Sequence, residues 1–192
     1  MEIAIAHQWD GDDIDHASVK MWLKEGEDGM KIEIKASYFH DPKPTGESGQ
    51  SMWQLWDYEV VEAFFLNSDS GEYLELEFGP HGQYLALLFK GCRNLWKKDL
   101  SLKYSSKIHG NEWQGNAVIP WDYFPEKLNK FNMYAIHGTD PNRVYESLQP
   151  VPKDKYTTPD FHRLEYFRDI KPEDVFPNGN WKKCVSSIWN QK

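Results

Sequence analysis

The chain has 192 residues, with 30 acidic and 22 basic side chains, a formal net charge of −8 and a pI near 5.4. Nucleic acids and anionic membranes select clustered Lys and Arg, so this balance argues against both as partners; no basic run exceeds a pair such as Lys97-Lys98. No stretch of about 18 apolar residues exists to span a bilayer, and a composition 40% hydrophobic and 27% charged describes a soluble globular chain of one-domain size.

Taken in order, the first residues alternate from Met1 to Trp9 and then meet Asp10-Gly11, which reads as a strand and a turn rather than a signal peptide. Alternation predicts opening strands over 2–9, 17–24 and 30–38, joined by the acidic segment 10–15 and by Glu25-Gly26-Glu27-Asp28-Gly29. From Tyr38 to Gln50 the pattern stops, in a loop with two prolines and two glycines that delivers the chain to Trp53 and Trp56. A loop of that length in a compact domain marks function or mobility, here the rim or lid of a site. Val60–Leu66, Tyr73–Phe78 and Tyr84–Phe89 then form a β-meander, separated by the turn residues 67–71 and by Gly79-Pro80-His81-Gly82. Strands over 100–108 and 112–119 pair around His109-Gly110-Asn111, and Pro120–Pro125 is a single helical turn. Two further strands cover 131–138 and 143–148, a last one 161–167, and 168–192 is an irregular tail anchored by Trp181 and Trp189. Short strands, frequent turns and little helix predict an all-β fold, an antiparallel β-sandwich with residues 1–192 as one domain; a closed barrel is the second choice.

The chemistry-bearing residues are sparse. Glu62 interrupts the apolar face of Val60, Phe64 and Leu66, so it is either partly buried or opens onto a cavity. Glu75 and Glu77 project opposite Leu74 and Leu76, the ordinary pattern of a solvated face; the sharper alternative is that one of them converges with Glu62 across the 67–71 hairpin, a carboxylate pair of the sort glycoside hydrolysis uses. The seven histidines show no HxH or HxxxH spacing, so no metal site and no cofactor is expected from local motifs, although His137, His162 and Asp160 are candidates for an assembled site. Phosphate loops and nucleophile elbows are absent. Cys92 and Cys184 lack metal-ligand spacing and read as free thiols of a reducing, cytoplasmic compartment.

Two resemblances add to this. The stretch Trp56-Asp57-Tyr58-Glu59-Val60-Val61-Glu62-Ala63-Phe64-Phe65 resembles the signature of family 9 carbohydrate-binding modules, which are DOMON-like β-sandwiches. Tyr73–Gly82, Trp113–Pro120, Phe131-Asn132 with Arg143, and Pro159–Phe167 follow in the family's order, over about residues 50–167. Leu55–Asn67, Pro80-His81-Gly82-Gln83, Ala135-Ile136-His137-Gly138 and Pro159-Asp160-Phe161-His162 also resemble, across nearly the whole chain, an animal family of soluble proteins of uncharacterised function. The sugar-binding resemblance implies a pyranose clamped between two tryptophans, with Trp56 as the first ring and Trp53 beside it. Glu62, Asn132 and Arg143 would bond hydroxyls, Arg143 also serving as the ion-pair partner of a buried Glu62. At the second ring's place, near Ser147-Leu148, there is no tryptophan, and Tyr145 is the substitute. The expectation is therefore a cytoplasmic binder of a small molecule, a sugar or polyol. The alternatives are a hydrolase- or lyase-like enzyme using a Glu/His/Asp cluster at the same end of the sandwich, and a protein-interaction module.

Overall fold

A computed structural model describes residues 1–183 and 188–190. In chain order the strands are β1 (Glu2–Ile5), β2 (His7–Gln8), β3 (Val19–Glu25), β4 (Gly29–Ser37), β5 (Val60–Asn67), β6 (Glu72–Phe78), β7 (Tyr84–Lys90), β8 (Leu95–Lys97), β9 (Lys103–His109), β10 (Glu112–Pro120), β11 (Lys130–His137), β12 (Val144–Ser147) and β13 (Arg168–Asp169). The single α-helix among the described residues, α1, is one turn long (Pro172–Val175). No helix among the described residues is long and apolar enough to cross a membrane.

The strands form two antiparallel sheets. The smaller runs β1-β3-β4-β10-β9, and the larger β2-β12-β11-β5-β6-β7-β8, with β13 on the end of β11. Val61, Ala63, Phe65, Leu74, Leu76, Phe78 and Met133 from the larger sheet meet Met21, Leu23, Ile32, Ile34 and Trp113 from the smaller, and this is the inter-sheet core. Val175, Phe176 and Trp189 of the tail belong to it, with the Trp189 indole donating to the Phe124 carbonyl at 3.0 Å; Cys184 lies outside the described residues.

The two sheets differ in what covers their outer faces. The smaller sheet is wet, as the alternation predicts: β4 buries every second residue, and its exposed positions pair with neighbouring strands, Lys24 with Glu33 at 2.7 Å and Lys35 with Glu112 at 2.8 Å. In the larger sheet β5 is buried at all eight positions and β6 at all but its first. Its outer face carries a second apolar cluster built from Leu55, Val60, Phe64, Tyr73, Leu87, Phe89, Tyr134, Ile136, Phe161 and Phe167. The loop 38–52 contributes to this covering as a fastened rim: Gly49 donates to the Gly82 carbonyl at 2.8 Å and Met52 to the Tyr84 carbonyl at 2.8 Å. Gly82 makes that fastening feasible, because its φ of +93° suits glycine and a Cβ there would stand 2.1 Å from the Ser48 Oγ.

Three expectations change. Residues 2–9 are two strands in different sheets, because the chain crosses from one layer to the other at Ala6. Residues 161–167 form no strand; a 3-10 turn at Leu164–Tyr166 leads into the two-residue β13. The short edge strand β8 was hidden by its brevity and polar flanks.

Phe65 is fully buried between the sheets and packs edge-on to Phe124 at 5.2 Å. Phe65→Ala is expected to lower the unfolding free energy by about 3–5 kcal/mol, read from the midpoint of urea denaturation at unchanged slope.

Candidate functional site

Strand register assembles the site. On the outer face of the larger sheet, Glu62 of β5 lies directly opposite Glu77 of β6 on one side and Tyr134 of β11 on the other. One row along, Phe64 faces Glu75, which faces Leu87 of β7. Three carboxyl groups therefore share one patch of sheet, at 3%, 5% and 0% exposure for Glu62, Glu75 and Glu77. Like charges directly across a strand pair repel, and burial penalises each charge further. Burial first, then the charge of its carboxylate neighbours, pushes Glu62 and Glu77 well above the usual carboxylate range. Burial raises Glu75 to about 7, while a side-chain hydrogen bond from Glu77 and the charge of Arg93 partly offset the rise. The solvated face expected for Glu75 and Glu77 is thus buried, because the covering comes from segments remote in sequence.

Beside Glu75 the side chains form a connected chain. The Arg93 backbone N–H donates to the Tyr73 hydroxyl at 3.0 Å, and the same hydroxyl shares a hydrogen bond with His162 Nδ1 at 2.6 Å. The imidazole is neutral, held down to about 4 by burial and by the Arg93 charge. Its Nε2 faces Glu75 Oε2 at 3.7 Å. For Asp160, burial alone would raise the carboxyl, but the His162 N–H at 2.9 Å and the Arg93 guanidinium at 2.6 Å outweigh it and hold it below its ordinary value.

Aromatic rings wall this floor. Trp56 sits in a 3-10 turn over Leu55–Asp57, entered through Gln54 at φ +64°, and Arg143 fixes the turn by donating to the carbonyls of Trp56 and, at 2.9 Å, Asp57. Trp53 stands edge-to-face against Trp56, 5.0 Å between centroids at 79°. Across the opening, Phe161 stacks on Tyr134 at 3.9 Å and meets Tyr145 edge-on at 6.0 Å. Between the walls is a pocket of about 400 Å³, with Glu62, Glu75, Arg93, Asp160 and His162 as its polar lining, within the size range of small-molecule sites.

Of the residues singled out from the sequence, Trp53, Trp56, Glu62 and Tyr145 line this pocket; Arg143 and Asn132 do not. Arg143 forms no ion pair with Glu62; its two terminal nitrogens donate to the Trp56 turn, although its charge still lowers Glu62 somewhat. Asn132 is fully buried and committed, its amide to the Tyr134 hydroxyl and the Gln149 carbonyl, its oxygen to the N–H groups of Met133 and Gln149. His162 and Asp160 are together, but His137 does not join them; its Nε2 meets Glu146 Oε1 at 2.9 Å. Arg93 and Phe161 escaped the sequence reading. Arg93 sits in an unremarkable turn, and Phe161 reads there as part of a strand.

No family model matches the chain. The human UPF0462 protein C4orf33 is 44% identical over 193 residues, spanning 98% of this chain and 96% of the human one. The mouse homologue is 45% identical over 193 residues (98% and 100%) and the zebrafish homologue 44% over 194 (99% and 98%). Among solved structures, a Bacteroides uniformis protein for which carbohydrate binding has been suggested aligns with a TM-score of 0.68, over 88% of this chain and 84% of that one, at 14% identity. At that identity the match shows a shared β-sandwich fold.

A carboxyl that ionises near 4.5 in the unfolded chain but near 7 when folded keeps its proton only in the native state between those values. Stability must therefore fall as pH rises through that window, by up to about 1.4 kcal/mol per pH unit, and level off above it. Glu75→Gln removes this contribution, so the variant is expected to gain on the native protein from pH 5 to 7 in urea denaturation. A pH-independent difference would refute a protonated Glu75.

Proposed function

This chain belongs to the UPF0462 (C4orf33) family, and we propose that it binds a small polyhydroxylated ligand, a sugar or polyol, in the pocket on the outer face of its larger sheet. The observation that carries the reading is a floor of buried carboxyl groups beneath an aromatic wall. Burial pushes Glu62 well above the usual carboxylate range and so favours its protonated form, and a carboxylic acid both donates and accepts a hydrogen bond. That is the pattern that vicinal hydroxyls match, while Trp56 and Trp53 offer ring faces to the apolar side of a pyranose. The suggested carbohydrate binding of the Bacteroides protein of the same fold agrees with this reading. Among the described residues the exposed large apolar side chains are Met1, Trp53 and Leu95, and the latter two line the pocket, which favours a ligand cleft over a flat protein-docking patch. Exposed, unpaired Cys92 suits a reducing, cytoplasmic setting.

One observation favours a second, enzymatic reading. Glu75, at about 7, lines the same pocket as neutral His162, and a carboxyl poised near neutrality is suited to general acid–base work.

Titration of the protein with mono- and oligosaccharides and polyols, followed by tryptophan fluorescence, tests the binding. A saturable response is expected, weakened at least about tenfold, or about 1.4 kcal/mol, by Trp56→Ala and by Glu62→Leu, which removes both donor and acceptor. A flat response across the panel sinks sugar recognition. NMR of each bound ligand after incubation separates the readings: an unchanged ligand supports binding, a transformed one the enzyme.

A further inference from the structure

We propose that His16, His137 and Glu146 form a site for a divalent transition-metal cation of the zinc type. The site is distinct from the pocket. Strand alternation sends Tyr134, Ile136 and Tyr145 to the outer face with the pocket's aromatic cluster, and Ala135, His137 and Glu146 to the inner one. Register pairs Ala135 with Glu146 and His137 with Val144, so His137 and Glu146 are diagonal neighbours on adjacent strands. His16 reaches them from the loop between β2 and β3.

The donor atoms converge. His16 Nε2 and His137 Nε2 each lie 2.9 Å from Glu146 Oε1, and the three ligand atoms fall within 4.8 Å of one another. Two ligands bound at about 2.1 Å around a tetrahedral ion stand about 3.4 Å apart, so each histidine would move off Glu146 by about 0.5 Å to seat a cation among them.

The protonation pattern argues for positive charge at this point. His16 Nδ1 is 3.0 Å from the Ala17 carbonyl, which only accepts, so Nδ1 carries the proton. With Nδ1 so committed, His16 turns its Nε2 edge onto the Glu146 carboxylate oxygen at 2.9 Å, a contact that a cation or a second proton must bridge. Glu146 has no exposure, and its second oxygen, Oε2, has no hydrogen-bond partner, as a carboxylate waiting for a cation would leave it. An N–H held by a backbone carbonyl is also the usual outer-shell device that fixes a ligating histidine. The His137 ring is fixed too, stacked on Phe39 at 3.5 Å and 3°, with His16 edge-on to the same Phe39 at 4.9 Å.

Two imidazoles and one carboxylate make a borderline donor set that suits zinc better than calcium or magnesium, which prefer oxygen ligands. The small cavity of about 10 Å³ against His137 and Glu146 has room for about one water as a further ligand. A cation here would tie the loop carrying His16 to the β11–β12 hairpin. The competing arrangement places a second proton on His16 and makes the three residues a metal-free imidazolium–carboxylate cluster.

The test uses the full-length, tag-free protein stripped with a chelator. Zinc uptake is measured by competition with a chromophoric chelator, and cobalt is used for its visible d–d spectrum. One equivalent per chain is expected, with zinc raising the thermal midpoint. His16→Gln, at a partly exposed loop position outside any strand, is expected to weaken uptake at least about 100-fold, which is about 2.7 kcal/mol, while its circular dichroism stays native. Glu146→Gln should do the same, but it sits in a fully buried position, so His16→Gln decides if that variant misfolds. Absence of uptake, or uptake undiminished in His16→Gln, overturns the site and leaves the metal-free cluster.

Discussion

The structure turns on the burial of both faces of β5, β6 and β7. A two-sheet sandwich needs only its inner faces covered, and the smaller sheet behaves that way, with charged pairs on its solvent side. The larger sheet is covered a second time, by the turn carrying Trp56, by Phe161 and Phe167 from the segment before β13, and by the rim pinned along Gly82–Tyr84. Residues that would otherwise meet water, Glu62, Glu75, Glu77, Tyr73 and Asn132, must find partners or lose their charge. Asn132 finds four hydrogen bonds, and Tyr73 sits between Arg93 and His162. The three carboxyls instead have their ionisation pushed to higher pH.

That outcome sets the character of the pocket. Two arginines lie near it, and neither neutralises the carboxyl group of Glu62 through an ion pair. Arg143 spends its donors on backbone carbonyls and so stiffens the Trp56 turn; Arg93 is engaged by Asp160. The floor is consequently polar yet largely uncharged, lying under aromatic walls, an environment with little salt sensitivity and strong directionality. The same covering keeps His162 neutral, with its Nε2 turned toward Glu75 rather than toward solvent.

The inner face of the same strands carries the second convergence. β11 and β12 present Tyr134, Ile136 and Tyr145 outward and His137 and Glu146 inward, so a single hairpin serves the pocket on one side and the His16–His137–Glu146 cluster on the other. A change in how the His16 loop is held would reach Tyr145 through one strand.

By itself the sequence determined the two-layer architecture and most strand positions, because strand alternation, turn residues and the apolar run of β7 are local signals. It also marked Glu62, a charge in an apolar run. For Glu75 and Glu77 it left a solvated face as the ordinary reading beside convergence of one of them with Glu62, because alternation reports which residues share a face and says nothing of what covers that face. Only the tertiary structure decided that: segments far along the chain fold over the larger sheet, bring Arg93, Asp160, Phe161 and His162 to Glu75, and turn Arg143 to the backbone. The grouping of His137 with His16 and Glu146, rather than with His162 and Asp160, was equally invisible, since a ligand set drawn from a loop and two strands leaves no spacing to recognise, and its geometry exists only once the sheet is formed.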